Sequence, residues 1–186
     1  MVATLEALAR EASNCTRCPL SGGRTTVVFG VGDPSADLVF VGEGPGREED
    51  LRGEPFVGRS GALLDRLVWE EIGLTRDRFY IANTVKCRPP ANRDPLPAEV
   101  AACRPYLEAQ LELIDPKVIV TLGNFATKLL LDTAEGITKL RGRTYTYRQS
   151  TLVPTFHPAA VLRGGGEPMA KMRADLIRAK EALEAA

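Results

Sequence analysis

Apolar positions along the chain fall into two kinds of segment that alternate. Short apolar-rich runs at Leu38–Val41, Phe79–Val85, Lys117–Leu122 and Thr151–Phe156 read as buried strands, with a weaker one at Thr26–Phe29. Between them lie stretches with apolar residues at helical spacing. Gly61–Ile72 carries Leu63, Leu64, Leu67, Val68 and Ile72 on one side and stops at Gly73. Thr4–Ala12, Asn124–Leu131 and Pro168–Ala186 show the same period. A helix opening at Pro97 reaches Ile114, and Pro105 inside it is expected to bend or split it. Ile137–Arg148 alternates around Gly142 and predicts a small hairpin. Gly42–Arg59 reads as a loop, and Gly164–Gly166 as a flexible joint.

Strands alternating with helices predict an α/β fold with a mostly parallel sheet covered on both faces. Ligands of such sheets bind at the carboxyl ends of the strands. Three segments leave strands there and are expected to converge: the turn from Gly42 onward, Asn83–Pro90 and His157-Pro158.

The length, 186 residues, suits one domain with a real core. Lys+Arg and Asp+Glu are equal at 24 each, which removes any global attraction to nucleic acid but leaves room for a local basic face. The stretch MVATLEALAREASNC has neither a basic start nor a continuous apolar core, and no apolar run approaches a membrane span. A cytoplasmic location without membrane association is expected. Thiols there stay reduced, so the four cysteines read as metal ligands or plain thiols before disulfides.

Chemistry concentrates at two places. The first is VGEGPGREED, Val41–Asp50, a glycine-rich turn straight after a strand. It fails the dinucleotide fingerprint: the spacing is Gly42-x-Gly44-x-Gly46, Pro45 intervenes, and no helix pattern starts at once. Its carboxylates also repel phosphate. The second is the cysteine set: Cys15-x-x-Cys18 on a turn-rich segment, then Cys87 and Cys103. Four thiolates suit zinc or a 4Fe–4S cluster, although the wide second pair is unlike a zinc ribbon. A plainer reading makes Cys103 a core thiol. Arg17, Lys86, Arg88 and Arg104 flank the set and would offset its negative charge.

Taken together, NCTRCPL, VGEGPGREED, GEPFVGRSG, YIANTVKCRPPANR, KVIVTLG and FHPAAVLR, in this order and spacing, resemble the family 4 uracil-DNA glycosylases, the iron–sulfur branch of that superfamily. The resemblance runs over nearly the whole chain. It implies a three-layer α/β/α sandwich with a central four-stranded, mainly parallel sheet. It implies a single glycosylase-like domain with an N-terminal cluster-binding segment, and a structural 4Fe–4S cluster on Cys15, Cys18, Cys87 and Cys103. It implies hydrolysis of the uracil–deoxyribose bond in DNA, single- or double-stranded, by a monofunctional enzyme expected to act as a monomer.

Residue roles follow from the same resemblance. Phe56 matches the residue that stacks on the flipped base and Asn83 the one that reads its edge, with Gly42 and Gly44 letting backbone approach closely. An amide donates to uracil O4 and accepts from N3–H, and cytosine reverses both groups. His157, the one histidine of the chain, matches the donor to uracil O2. Glu43 is the expected acid for water and for the cationic sugar, and Glu49 is a second candidate; Glu48 and Asp50 are expected in solvent. Better-known uracil glycosylases carry an aspartate where Gly44 stands and a tyrosine where Gly46 stands, so the acid's role transfers less directly than the binding roles. Arg59, Ser60 and Arg163 are expected at DNA, and Val161 or Leu162 as a wedge in the gap left by the base. A related branch traps its product on an extra loop histidine; with only His157 present, turnover is expected. A glycosylase of broader base range, and a cluster-bearing redox module, are the competing readings.

Overall fold

The structure is a computed structural model that describes residues 4–186; residues 1–3, the start of the stretch MVATLEALAREASNC, lie outside the described residues. Its centre is a six-stranded sheet of order β1-β3-β2-β4-β6-β5. Four parallel strands, β2 (Leu38–Gly42), β3 (Tyr80–Asn83), β4 (Val118–Leu122) and β6 (Ser150–Thr155), form the middle. The short strands β1 (Val31–Gly32) and β5 (Tyr145–Tyr147) pair antiparallel at the two edges. The sheet is thus mixed, with six strands where four were expected. The extra two are too short to leave a period in the sequence.

Alternation along the strands builds the layers. Leu38, Phe40, Ile81, Val120 and Val153 face one core, closed by α3 (Arg59–Ile72), α7 (Pro158–Gly164) and α8 (Gly166–Ala185). Val39, Val41, Ala82, Ile119 and Leu152 face the other, closed by α4 (Pro97–Ile114) and α5 (Asn124–Leu131). Helix α1 (Leu5–Ser13) lies against α4. Every residue of β2, β3 and β4 is buried, as strands covered on both faces must be.

Several local expectations change. Thr26–Phe29 is not a strand; the edge strand begins at Val31. Gly42–Arg59 contains α2 (Arg47–Arg52), a charged single turn and a half with no apolar face to announce it. Ile137–Arg148 is not a hairpin: α6 (Ile137–Leu140) precedes β5, which pairs with β6. Helix α4 runs unbroken through Pro105, whose missing N–H falls on the exposed side. The stretch after His157 is helix α7, and the joint to α8 narrows to Gly165, at φ 75°.

The chain passes from β2 outward to β3, then returns to β4 on the other side of β2. This reversal opens a crevice at the carboxyl ends of the middle strands.

Candidate active site

That crevice is a cleft of about 620 Å³, within the range of small-ligand sites. Glu43, Gly44, Glu49, Phe56, Ser60, Asn83, Gly123, His157 and Arg163 are among its lining residues. The three strand exits expected to converge therefore do so.

Gly42 and Asn83 are paired neighbours across the parallel β2–β3 ladder. A Cβ on Gly42 would meet Asn83 Oδ1 at 2.5 Å and the Phe56 ring at 2.8 Å, so only glycine lets both side chains close over this strand end. Asn83 is 1 % exposed, and its Oδ1 is the one buried side-chain polar atom without a partner among the described residues. A buried amide oxygen left unpaired costs on the order of 1–3 kcal/mol. Such a cost, at the floor of a cleft, marks an acceptor kept free for a donor brought by a ligand.

Phe56 is 6 % exposed, with its ring centroid 5.6 Å from that of His157. Its backbone is left-handed, φ 54°, an outlier for an aromatic residue that costs on the order of 1–3 kcal/mol. Glu49 holds the following residues: one carboxylate oxygen accepts the N–H groups of Val57 (3.1 Å) and Gly58 (3.2 Å), the other that of Gly46 (3.1 Å). With three backbone N–H groups on its two oxygens, Glu49 braces the loop. Asp50, expected in solvent, is 3 % exposed and accepts from Thr25 and Thr26 N–H.

His157 caps α7: its Nδ1 accepts the Ala159 N–H at 3.1 Å. A neutral ring with Nδ1 accepting carries its proton on Nε2. Burial, with a smaller contribution from the Arg163 charge and Glu49 opposing, pushes the His157 pKa down to about 4. The ring is therefore neutral at neutral pH.

Glu43 is half-buried and raised above the ordinary glutamate range, chiefly by burial and then by the Asp94 carboxylate. Its own backbone is held firmly: the Thr84 hydroxyl and Val85 N–H both donate to the Glu43 carbonyl, and Thr84 N–H to that of Gly42. Asp94 lines the cleft, as does Arg93, whose fork is spent on Glu99 at 2.9 and 2.7 Å. None of these three was singled out by sequence reasoning; the one trace was Pro97-x-Glu99, a helix start whose acid caps Leu96 N–H.

Of the residues expected at DNA, Arg59, Leu162 and Arg163 are exposed and Ser60 lines the cleft. Val161 is 0 % exposed and belongs to the core beneath α7, so it is no wedge.

The four cysteines line one cavity behind the β3 exit, together with Arg17, Arg24, Lys86 and Tyr106. Among the described residues, no group of three or more His, Cys, Asp or Glu side chains is placed to hold a metal ion. The cationic lining of the cavity differs from expectation. Arg24 donates to Cys15 carbonyl (2.7 Å) and reaches Cys87 Sγ (3.5 Å), and Lys86 N–H donates to Cys103 Sγ at 3.2 Å. Arg88 and Arg104 are turned to Asn92 and Glu108 instead. Burial pushes the Cys87 thiol up to about 11, with the Arg24 hydrogen bond and charge opposing. The Lys86 ammonium is buried, lowered to about 8 by that burial, and bonded to the Asn83 carbonyl and to Gln110.

Comparison with known proteins agrees with this arrangement. The family model described as the uracil DNA glycosylase superfamily matches residues 29–183. A type-4 uracil-DNA glycosylase from Thermotoga maritima is 44 % identical over 97 % of this chain and 95 % of its own. One from Saccharolobus solfataricus is 45 % identical over 96 % and 86 % of the two chains, and one from Sulfurisphaera tokodaii 46 % over 86 % and 76 %. With this sheet order, this cleft and this degree of identity, the chain belongs to the type-4 uracil-DNA glycosylases.

Proposed function

We propose that this protein removes uracil from DNA as the first step of base excision repair, by the residue roles set out below. The observation that carries them is the unpartnered Asn83 Oδ1 in the cleft that Phe56 and His157 also line. The base leaves the stack to be reached. Its face stacks on Phe56, its N3–H pairs with Asn83 Oδ1, and its O4 accepts from the amide nitrogen. Cytosine offers a lone pair at N3 and an amino group at C4, so both contacts fail.

As the bond from N1 to the sugar breaks, its electron pair moves onto the base. His157 Nε2–H donates to O2, where that charge gathers, and a neutral donor does this without a proton having to move. The sugar turns cationic, and the Glu43 carboxylate stabilises it and takes the proton of the water that adds to C1′. The uracil anion leaves and takes up a proton, Glu43 gives up the one it accepted, and an abasic site remains, by turnover without a protein–DNA bond.

The backbone of DNA is held at the rim by Arg59, Ser60 and Arg163, and Leu162 on α7 enters the gap left by the base. The substrate is uracil-containing DNA, single- or double-stranded, met by the chain as a one-domain monomer. No helix among the described residues is long and apolar enough to cross a membrane. Cys15, Cys18, Cys87 and Cys103 hold a 4Fe–4S cluster. When bound, it acts as a structural staple between the N-terminal segment and the middle of the fold.

A duplex bearing one uracil, incubated with protein and treated with alkali, is expected to break at that position. An intact strand would refute the activity. Brown protein with iron and sulfide in equal amounts is expected, and a colourless zinc protein counts against the cluster.

A further inference from the structure

The turn Pro55–Gly58 carries Phe56 in a backbone conformation that aromatic residues avoid, so something must hold it there. On the cleft side, Glu49 accepts the Val57 and Gly58 N–H groups. On the opposite side stands Arg76, on the short turn after α3. Its guanidinium donates to the Phe56 carbonyl at 2.8 Å and to the Pro55 carbonyl, and is itself fixed by Asp65 of α3 at 3.0 Å. Arg76 does not line the base-binding cleft; it borders a surface hollow with Asp33, Glu54 and Asp77. The first turn of α3 closes the remaining side, since a Cβ on Gly61 would overlap the Phe56 carbonyl at 1.7 Å.

We infer that Arg76 is a positioning residue for base recognition, which sets the pose of the Phe56 ring from outside the cleft by gripping the two carbonyls of its turn. The inference rests on the reading of Phe56 as the stacking residue. The chemistry calls for arginine. A planar fork addresses two carbonyls and a carboxylate at once, whereas a lysine ammonium is a single point that must choose among them. With the grip lost, the left-handed residue relaxes toward an ordinary φ, and its ring swings off the floor shared with Gly42 and Asn83. Displacements of that size at a binding site are expensive even when the moving part is remote.

The test measures inhibition of the wild-type and variant enzymes by free uracil, alongside thermal melts. Arg76→Lys is expected to raise the uracil inhibition constant about tenfold or more while the protein stays folded at the assay temperature. Asp65→Asn, which leaves the arginine in place but unanchored, is expected to give a smaller rise, and stands in if Arg76→Lys does not fold. In a Phe56→Ala background, Arg76→Lys is expected to add less than about twofold, because it acts through the ring. An unchanged inhibition constant with a lowered melting point makes Arg76 merely structural and overturns the inference. So does a full Arg76→Lys effect that persists without the Phe56 ring. If Phe56→Ala alone leaves uracil inhibition unchanged, the reading of Phe56 itself fails instead.

Discussion

The backbone N–H of Ala159 donates to Nδ1 of His157 at 3.1 Å, so the start of α7 decides which ring nitrogen faces the cleft with a proton. Removing the ring should lower kcat by about 10²–10³, the usual loss for one anion-stabilising donor. His157→Ala also deletes a helix cap, at about 1 kcal/mol of stability. His157→Asn keeps a cap and should separate the two effects. A kcat within a few-fold of wild type in either variant removes His157 from the role.

The same residue makes stability depend on pH. Its folded pKa of about 4 lies below the ordinary 6.5. As pH falls below 6.5, the unfolded chain gains a proton that the folded chain refuses. Stability is therefore full above 6.5 and drains between 6.5 and 4. Denaturant midpoints taken across that window should fall for the wild type and fall less for His157→Asn.

If Glu43 is the acting carboxylate, the acid limb of the rate profile should follow its titration, raised by burial and by Asp94. It must be ionised to act, so kcat should fall as pH drops through a midpoint above the ordinary glutamate value. Glu43→Gln should lower kcat by about 10²–10⁴ with uracil-DNA affinity near wild type, and erase that limb. Asp94→Asn should move the midpoint down; a midpoint that stays put dissociates the two carboxylates.

Asn83→Asp offers an oxygen where the amide nitrogen stood. Discrimination between uracil and cytosine should shrink by about 10²-fold, mainly through loss of uracil excision. Gly42→Ala should be at least as harmful without touching any ligand, since its Cβ lands within 2.5 Å of Asn83 Oδ1. Rates on paired oligonucleotides would show whether this holds; wild-type selectivity in both variants argues against edge reading at this strand end.

Leu162→Ala should slow excision from duplex more than from single strands, because only a duplex leaves a gap to fill. Equal slowing on both substrates dissociates Leu162 from the wedge role. Val161→Ala is expected to lower the melting temperature instead, as a core truncation does.

The middle of the sheet was legible because strands covered on both faces leave unbroken apolar runs, as in Lys117–Leu122. The hidden elements had no such mark. Helix α2 is held by Glu49 and ended by the left-handed Gly53 rather than by an apolar face. Helix α7 buries Val161 and exposes Leu162, a choice two adjacent apolar letters do not display. The cleft at the strand ends was legible because topology brings strand ends together. The partners that hold its lining residues were not, because the grip of Arg76 on Phe56 joins positions far apart in sequence, and nothing in either segment announces the other. The same holds for burial of Asp50 within a row of acids.

The ladder between β2 and β3 does not stop where the strands do. It runs on through Thr84 and Val85, which bond to the carbonyls of Gly42 and Glu43. Asn83 and Glu43, the residues proposed to read the base and serve the sugar, are therefore mounted on one continuous piece of sheet, braced from behind by Lys86 on the Asn83 carbonyl. Such a mounting has no loose hinge to give way first. On heating, this enzyme should keep working until the whole molecule lets go, with catalysis and fold vanishing in a single transition.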